Sequence, residues 1–455
     1  MEDKMILENY DVSPEISQNV DKDILPTEER IMDNVSYLFS FLGGCVSVGT
    51  FSMGASLIGT LTIMQAILAM MIGCLVIAIG LALVGVAGHK YGIPFTIQLR
   101  STFGTTGIKF PGALRGIPAI VWFGFQSWIG AAAINQSLDI LFGFSNLPLV
   151  FGAFVLLQVL LAIKGFKGIK WLENISAVFI IITLAYMLWV TVTTYSVEIK
   201  DAFSDIKGTW GMPFWAATTS FLGIYSTMII NSSDYTRQLD RNTKAKSQVG
   251  IYTAAILPVT LFMGMIGLLV SAATGNSDPV AVFSSTLNNK FLTVITLFFI
   301  AFAQVSTNVL NNIVPPSYIL MEAFHVKWVP ATFIVGVLSI IVMPWKLVTS
   351  ETAELLGLFT RFYSAFLGPI FSVMVVDYFI LRKQKLDVNM YYDKNGPFKG
   401  VNWAGVIAVI LGSAVSFNLL DMSWYVSILP TAVAYYFLMK YMKSAEKFRV
   451  GTIFE

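Results

Sequence analysis

Charge is what this sequence has least of. Of 455 residues, 12% are Asp, Glu, Lys or Arg against 56% hydrophobic, and the mean hydropathy is +0.71. Soluble domains carry roughly twice that charged fraction, so a soluble fold of this length is excluded. Cysteine and histidine are as scarce, two of each. Cys45 and Cys74 fall inside apolar runs and read as small apolar residues, which leaves no disulfide framework and no thiolate pair for a metal. His89 and His325 are too far apart for a zinc or haem pattern. A net charge of +2 offers no basic surface to a nucleic acid. Short alternating strands are also missing, and with them the signature of a membrane barrel.

Long apolar runs take their place. They predict an all-α polytopic membrane protein of about twelve helices, each near the 20 residues a bilayer core requires. The helices are expected over 32–58, 61–88, 112–142, 146–164, 169–195, 211–236, 247–273, 290–322, 328–344, 352–382, 401–419 and 423–441. Residues 1–31 are polar and acidic, without an apolar core behind a basic start, so they read as a tail and not as a signal peptide. Lys90, Arg100, Lys109, Lys164, Lys167, Lys170, Arg237, Arg241, Lys244, Lys246 and the basic run Arg382, Lys383 and Lys385 fall in loops on one side, with both termini. The opposite loops hold Lys200, Lys207, Lys290 and Lys346. That bias puts both tails, 1–31 and 442–455, in the cytoplasm of a multi-pass plasma-membrane protein. Nothing divides 32–441, which reads as one transmembrane domain.

Polar residues inside the helices carry the functional signal. In AFAQVSTNVLNNIVPP, residues 301–316, helical spacing places Ala303, Ser306 and Thr307 on one face and Asn308, Asn311 and Asn312 on a strip beside it. Hydroxyls with a backbone carbonyl suit a small hard cation, and amides suit the edge of a flat heterocycle. The same residue types also glue helices together. The first helix holds GGCVSVGTFSMGASLIG, residues 43–59, and the sixth has Gly223 among Thr218, Thr219, Ser220, Ser226 and Thr227. Both are expected to unwind near mid-membrane, and paired interruptions in two halves point to a transporter site between inverted repeats. In the third helix Trp122 and Gln126 stand one turn apart, an indole to stack on a ring and an amide to read its edge. Trp128 lies on another face and reads as packing.

WFGFQSW in the third helix, SSDYTR ending the sixth, STNVLNN in the eighth and GPIFSVMVVDYFILRKQKLDVNMYYDKNGPFKGVNW together resemble the nucleobase:cation symporter-1 family. Its members include permeases for cytosine, uracil, purines, allantoin and hydantoins. The resemblance covers most of the chain. It implies a LeuT-type fold: repeat one over about 32–195, repeat two over about 211–382, and appended helices over about 401–441. It also implies a substrate site at Trp122, Gln126, Tyr225 and Asn312, flanked by Gly223 and Ser47. Tyr225 stands where hydantoin-type members have Trp. Sodium-coupled members use eighth-helix positions matching Ala303, Ser306 and Thr307, with first-helix carbonyls matching Gly43 and Val46.

The implied function is import of a neutral planar nitrogen heterocycle, a nucleobase or a ureide such as allantoin, by cation symport. No carboxylate or His lies near the centre of the first, third, sixth or eighth helix, which favours sodium over a proton. Arg361 is the deep charge, expected near Glu351 and Glu354 at an outer gate. Asp139, Glu173, Asp234, Glu322 and Asp377 are expected at membrane interfaces. A proton-coupled permease and a membrane-integral enzyme are the alternatives, but no acidic dyad, nucleophile or metal cluster at depth supports the latter. No cofactor is implied.

Overall fold

The computed structural model describes residues 12–13, 20–164, 181–182, 184–276, 278, 280–281, 289–347 and 352–455. Among them there is no β-strand, and one isolated parallel bridge joins Met32 to Leu239. The first apolar run forms two helices, α1 (Asn34–Gly44) and α2 (Val48–Ala55), bent by 52° across a break. Next come α3 (Ile63–Tyr91), α4 (Phe95–Phe103), α5 (Lys109–Phe142), α6 (Leu147–Ile163), α7 (Leu184–Thr194) and α8 (Ser196–Ser204). The second half runs through α9 (Met212–Ile230), α10 (Ser232–Thr236), α11 (Ala245–Thr274), α12 (Lys290–Asn308), α13 (Val314–Phe324), α14 (Trp328–Ile341) and α15 (Thr352–Val375). The chain closes with α16 (Val388–Tyr392), α17 (Trp403–Asn418) and α18 (Ser423–Tyr441).

Every expected helix has a counterpart within a few residues, although of the fifth only Leu184–Thr194 is described. Lys167, Lys170, Glu173 and Glu351, and most of the N-terminal tail, lie outside the described residues. Three short helices went unforeseen, α4, α8 and α16; α8 (Ser196–Ser204) extends the chain past the fifth expected span. Both α4 and α16 are too short to span, and they fold back under the bundle where the sequence reads as loop. The reason is ionic: Arg100 on α4 pairs with Glu322 on α13, and its Nη1 donates to the Tyr391 carbonyl of α16 at 2.5 Å.

Packing separates the interior into two apolar clusters. One brings Phe123 of α5, Phe154 and Val159 of α6, Leu297 and Val305 of α12 and Val335 of α14 together. The larger cluster is built on α1 to α3, α9, α11, α15 and the C-terminal helices. Backbones touch within it. A Cβ on Gly54 of α2 would lie 1.9 Å from the Gly264 carbonyl oxygen of α11, and a Cβ on Gly267 would lie 2.0 Å from the Phe51 carbonyl oxygen of α2. Large apolar side chains such as Leu149, Leu156, Phe333, Val337, Ile410 and Leu429 stay exposed on the outer faces, as a lipid-facing belt requires.

Two interruptions decide what lies at the seam between the clusters. Ser47 takes an extended conformation and caps α2 by accepting from the Gly49 N–H at 3.1 Å, so the break falls on Cys45, Val46 and Ser47. The eighth run widens into a π turn over Val309–Ile313, where the Val314 N–H bonds Val309. Its cause is in the sequence. Pro315 has no N–H for the Asn311 carbonyl four residues back, and that carbonyl instead accepts from Arg115 Nη2 at 2.8 Å. In the sixth run the expected unwinding at Gly223 is absent: α9 passes through it and breaks at Asn231. Gly223 serves close packing, since a Cβ there would meet Thr360 Cβ of α15 at 2.8 Å.

Candidate functional site

The seam holds two groups of polar atoms. In the first, Thr307 Oγ1 on α12 lies 2.9 Å from the Ala303 carbonyl, 3.0 Å from that of Val46 and 3.3 Å from that of Gly43. One hydroxyl carries one hydrogen and cannot satisfy three carbonyls. Beside it Ser306 Oγ is buried with no hydrogen-bond partner, which is costly unless a ligand takes it up. The break leaves the Val46 carbonyl without a backbone donor among the described residues, the Gly43 carbonyl is shared between Thr307 and the Val46 N–H at 3.3 Å, and α12 supplies the rest. Oxygens about 2.4 Å from a hard cation sit roughly 3.4 Å apart at right angles, close to the spacings found here. Four of the five residues named from the sequence for the ion therefore meet at Thr307 Oγ1, the fifth, Ser306, is its neighbour in the chain with an unpartnered hydroxyl, and the donor set fits a small cation.

The second group spans α1–α2, α5, α9, α12–α13 and α15. Trp122 Nε1 donates to Tyr363 Oη at 3.1 Å, and Tyr363 donates to the Gly223 carbonyl at 2.7 Å. The indole lies against Gly49, where a Cβ would come within 2.6 Å of the ring. Gln126 Nε2 donates to Ser47 Oγ at 3.2 Å, while Gln126 Oε1 is buried and unpartnered. The Tyr225 hydroxyl donates to the Cys45 carbonyl at 2.7 Å and lies 3.2 Å from Thr50 Oγ1. That side chain clasps the break in the first helix, so its hydroxyl is committed to protein. Asn312 Nδ2 donates to Asn308 Oδ1 at 2.9 Å.

The asparagine strip expected from helical spacing divides, because the π turn fans its members apart. Asn311 donates to the Gly44 carbonyl at 2.7 Å and accepts from Tyr235 Oη at 3.1 Å, a tie between helices. Asn308 reaches toward α5 and α6, and Asn312, buried one turn later, is tied to Asn308. Trp128 packs on Phe151 and Trp345, as expected.

Charged residues depart further from the sequence reading. Arg361 pairs with Asp421 at 3.3 Å and donates to Ser220; the expected acidic neighbours belong to a stretch where side chains are not described or lie outside the described residues. Asp234, Glu322 and Asp377, expected near helix ends, are buried in protein, where each is ligated: Asp234 by the Phe95 N–H, Glu322 by Arg100, and Asp377 by Arg382, Ser101 and Tyr435. Asp139 is exposed as expected. Arg115 went unnoticed. It is fully buried and bonds Asn231 Oδ1 at 2.9 Å as well as the Asn311 carbonyl. Its position seven residues before Trp122, two turns along one helix face, was the available signal.

Residues 24–442 match the family described as permeases for cytosine/purines, uracil, thiamine and allantoin. The chain belongs to this family. It is therefore a multi-pass membrane transporter and not an enzyme. Among relatives of this permease family, the hydantoin permease of Microbacterium maritypicum is 26% identical, over 86% of this chain and 82% of its own. The allantoin permease of Bacillus subtilis (strain 168) is 27% identical, over 92% and 93%. The structure of Mhp1, a nucleobase-cation-symport-1 family transporter in a closed conformation with bromovinylhydantoin bound, superposes with a TM-score of 0.84 at 23% identity. It covers 95% of this chain and 99% of that one. The LeuT-type fold expected from the sequence holds.

Proposed function

We propose that this permease imports a neutral, planar nitrogen heterocycle, a nucleobase or a ureide, together with sodium. In this reading repeat one (about 32–195) and repeat two (about 211–382) alternate access to a site in the seam, and both tails, 1–31 and 442–455, are cytoplasmic at the plasma membrane. The substrate meets Trp122, Gln126 and Asn312, with Ser47, Gly223 and Tyr225 as the supporting wall. Sodium is held by Ser306, Thr307 and the carbonyls of Ala303, Gly43 and Val46. The observation that carries the reading is the crowd of oxygens around Thr307 with Ser306 Oγ unpartnered beside it. Neutral hydroxyls and carbonyls cannot take up a proton near neutral pH, but they can bind a metal cation. The names of the relatives support a substrate drawn from hydantoins, allantoin and nucleobases.

Thermal-shift binding of cytosine, uracil, hypoxanthine, allantoin and hydantoin to purified protein, with and without sodium, tests the reading. Stabilisation by at least one of them, strengthened by sodium and level between about pH 6 and 8, is expected. Uptake into proteoliposomes driven by a proton gradient without sodium would overturn sodium coupling. One observation favours that second reading. Asp234 is a buried carboxylate at the α9–α10 break, held by the Phe95 N–H at 3.0 Å and Asn231 Nδ2 at 3.3 Å. Asp234→Asn would abolish proton-driven uptake and leave sodium-driven uptake in place.

A further inference from the structure

Behind Asn312 lies a chain of amides whose orientation can be worked out from backbone groups. A main-chain carbonyl only accepts, so the bond from Gln158 to the Phe154 carbonyl, 3.1 Å, must come from Gln158 Nε2. The same nitrogen donates to Ser127 Oγ at 3.0 Å, and both its hydrogens are engaged. Gln158 Oε1 therefore faces the other way, where it accepts from Asn308 Nδ2 at 2.8 Å. Asn308 Nδ2 also lies 3.1 Å from Ser127 Oγ, a hydroxyl that can donate or accept, and 3.5 Å from the Phe123 carbonyl, too long to hold the amide by itself, so its sense is set by Gln158. Asn308 Oδ1 is left to accept from Asn312 Nδ2. Gln158, Ser127 and Asn308 are fully buried, so water cannot substitute for any link.

We propose that Gln158, on α6 and outside the heterocycle site, is a positioning residue. It sets which atom of Asn312 the substrate meets, and so demands an N–H donor on the substrate edge facing that residue. Turning the Asn312 amide over would bring two carbonyl oxygens together at hydrogen-bond distance. With Nδ2 held by Asn308, the oxygen Oδ1 takes no donor among the described residues and is left for ligand. Gln126 Oε1 on α5 is buried and unpartnered. Three aromatic donors around the seam are spent on protein, Trp122 on Tyr363, Tyr363 on the Gly223 carbonyl and Tyr225 on the Cys45 carbonyl, while the Ser47 hydroxyl accepts from Gly49 and Gln126 and keeps its own hydrogen. Two acceptors on separate walls call for a ring with unsubstituted N–H groups on two edges, the pattern of a cyclic ureide or imide. A ring methylated at the nitrogen facing Asn312 is excluded.

The inference rests on the heterocycle reading above, and its test separates the two. Equilibrium binding of uracil and hydantoin, and of the 1-methyl and 3-methyl form of each, is measured on the full-length protein in sodium. In the wild type one methyl form of the bound ring is expected to bind weaker by about tenfold or more, the cost of leaving a buried acceptor unmet. In Gln158→Met, Asn308 is free to turn and Asn312 follows, so the ratio between parent and methyl form falls to within about threefold while sodium dependence persists. Gln158→Glu, neutral in this fully buried setting, donates its hydroxyl hydrogen to the Phe154 carbonyl, keeps an acceptor toward Asn308 and restores the ratio, which loss of packing alone would not explain. If Gln158→Met does not fold, Asn308→Asp, neutral when buried, donates its hydroxyl hydrogen to Gln158 Oε1, accepts from Asn312 with its other oxygen and keeps the ratio, and Asn308→Leu loses it. A wild-type ratio in Gln158→Met, or equal loss in Gln158→Met and Gln158→Glu, overturns the proposal alone. No binding of any of these rings to the wild type overturns the heterocycle reading and the proposal with it.

Discussion

The two polar groups at the seam fail to balance their hydrogen bonds in opposite ways. Around Thr307 there is too little hydrogen: three carbonyls crowd one hydroxyl, and Ser306 Oγ has nothing to bind. Around Trp122 the protein side chains tie one another down through named donors, and the acceptor oxygens left over are those of Gln126 and Asn312. A deficit shared by several oxygens at one point suits a cation, whereas single orphaned acceptors on separate walls suit the edges of a ring. The kind of ligand can thus be read from how the shortfall is distributed.

The strongest way to break this comparison is to empty the first group. Ser306→Ala combined with Thr307→Ala is expected to abolish the sodium dependence of substrate binding, and with it the reciprocal effect of substrate on sodium affinity. Weak sodium-independent binding should persist. Isothermal titration in each order of addition checks both effects, and a surviving dependence would move the ion elsewhere. Next in size are the ring-facing amides. Gln126→Ala or Asn312→Ala should each weaken substrate by about 2 kcal/mol, roughly thirtyfold, with sodium affinity held, as radioligand displacement would report.

A smaller effect sharpens the boundary between the groups. Tyr225→Phe removes the donor to the Cys45 carbonyl, so it should lower thermal stability by about 1 kcal/mol while substrate affinity changes less than about threefold. Loss of ligand selectivity instead, in a panel of nucleobases and hydantoins, would place the hydroxyl on the substrate. The smallest effect is on folding itself. Ser306 Oγ has no protein partner, so Ser306→Ala should leave the sodium-free protein as stable as wild type or up to about 1 kcal/mol more stable, and weaken sodium stabilisation about tenfold.

What the sequence made legible follows from what side chains announce. Ser306, Thr307 and the broken first helix could be found because hydroxyls and clustered glycines are out of place in an apolar run. Gly223 misled because glycine alone does not distinguish a break from a close crossing; Thr360, 137 residues later, decides it. Asn308 and Asn312 were visible as polar, but their division of labour depends on the π turn that Pro315 provokes. Gln158 sits in a run that reads as plain lipid-facing helix, and its role exists only through contacts 31 and 150 residues away. Arg115 and the buried carboxylates were misjudged because their partners come from distant parts of the chain.

Gly54, Gly264 and Gly267 carry a mechanical consequence. With the backbones of α2 and α11 in contact, neither can slide along the other without losing that fit, so the pair behaves as a single lever. Flexure in the first run is then confined to Cys45, Val46 and Ser47, and the Gly43 and Val46 carbonyls stand on either side of its start. An ion drawn between them would act as a pin through that pivot, stiffening it when present and releasing it on departure. Sodium concentration would then set the stiffness of the joint as well as the affinity of the site. Side chains placed at Gly54 or Gly267 would be felt as a lever prised off its mate, far from any ligand.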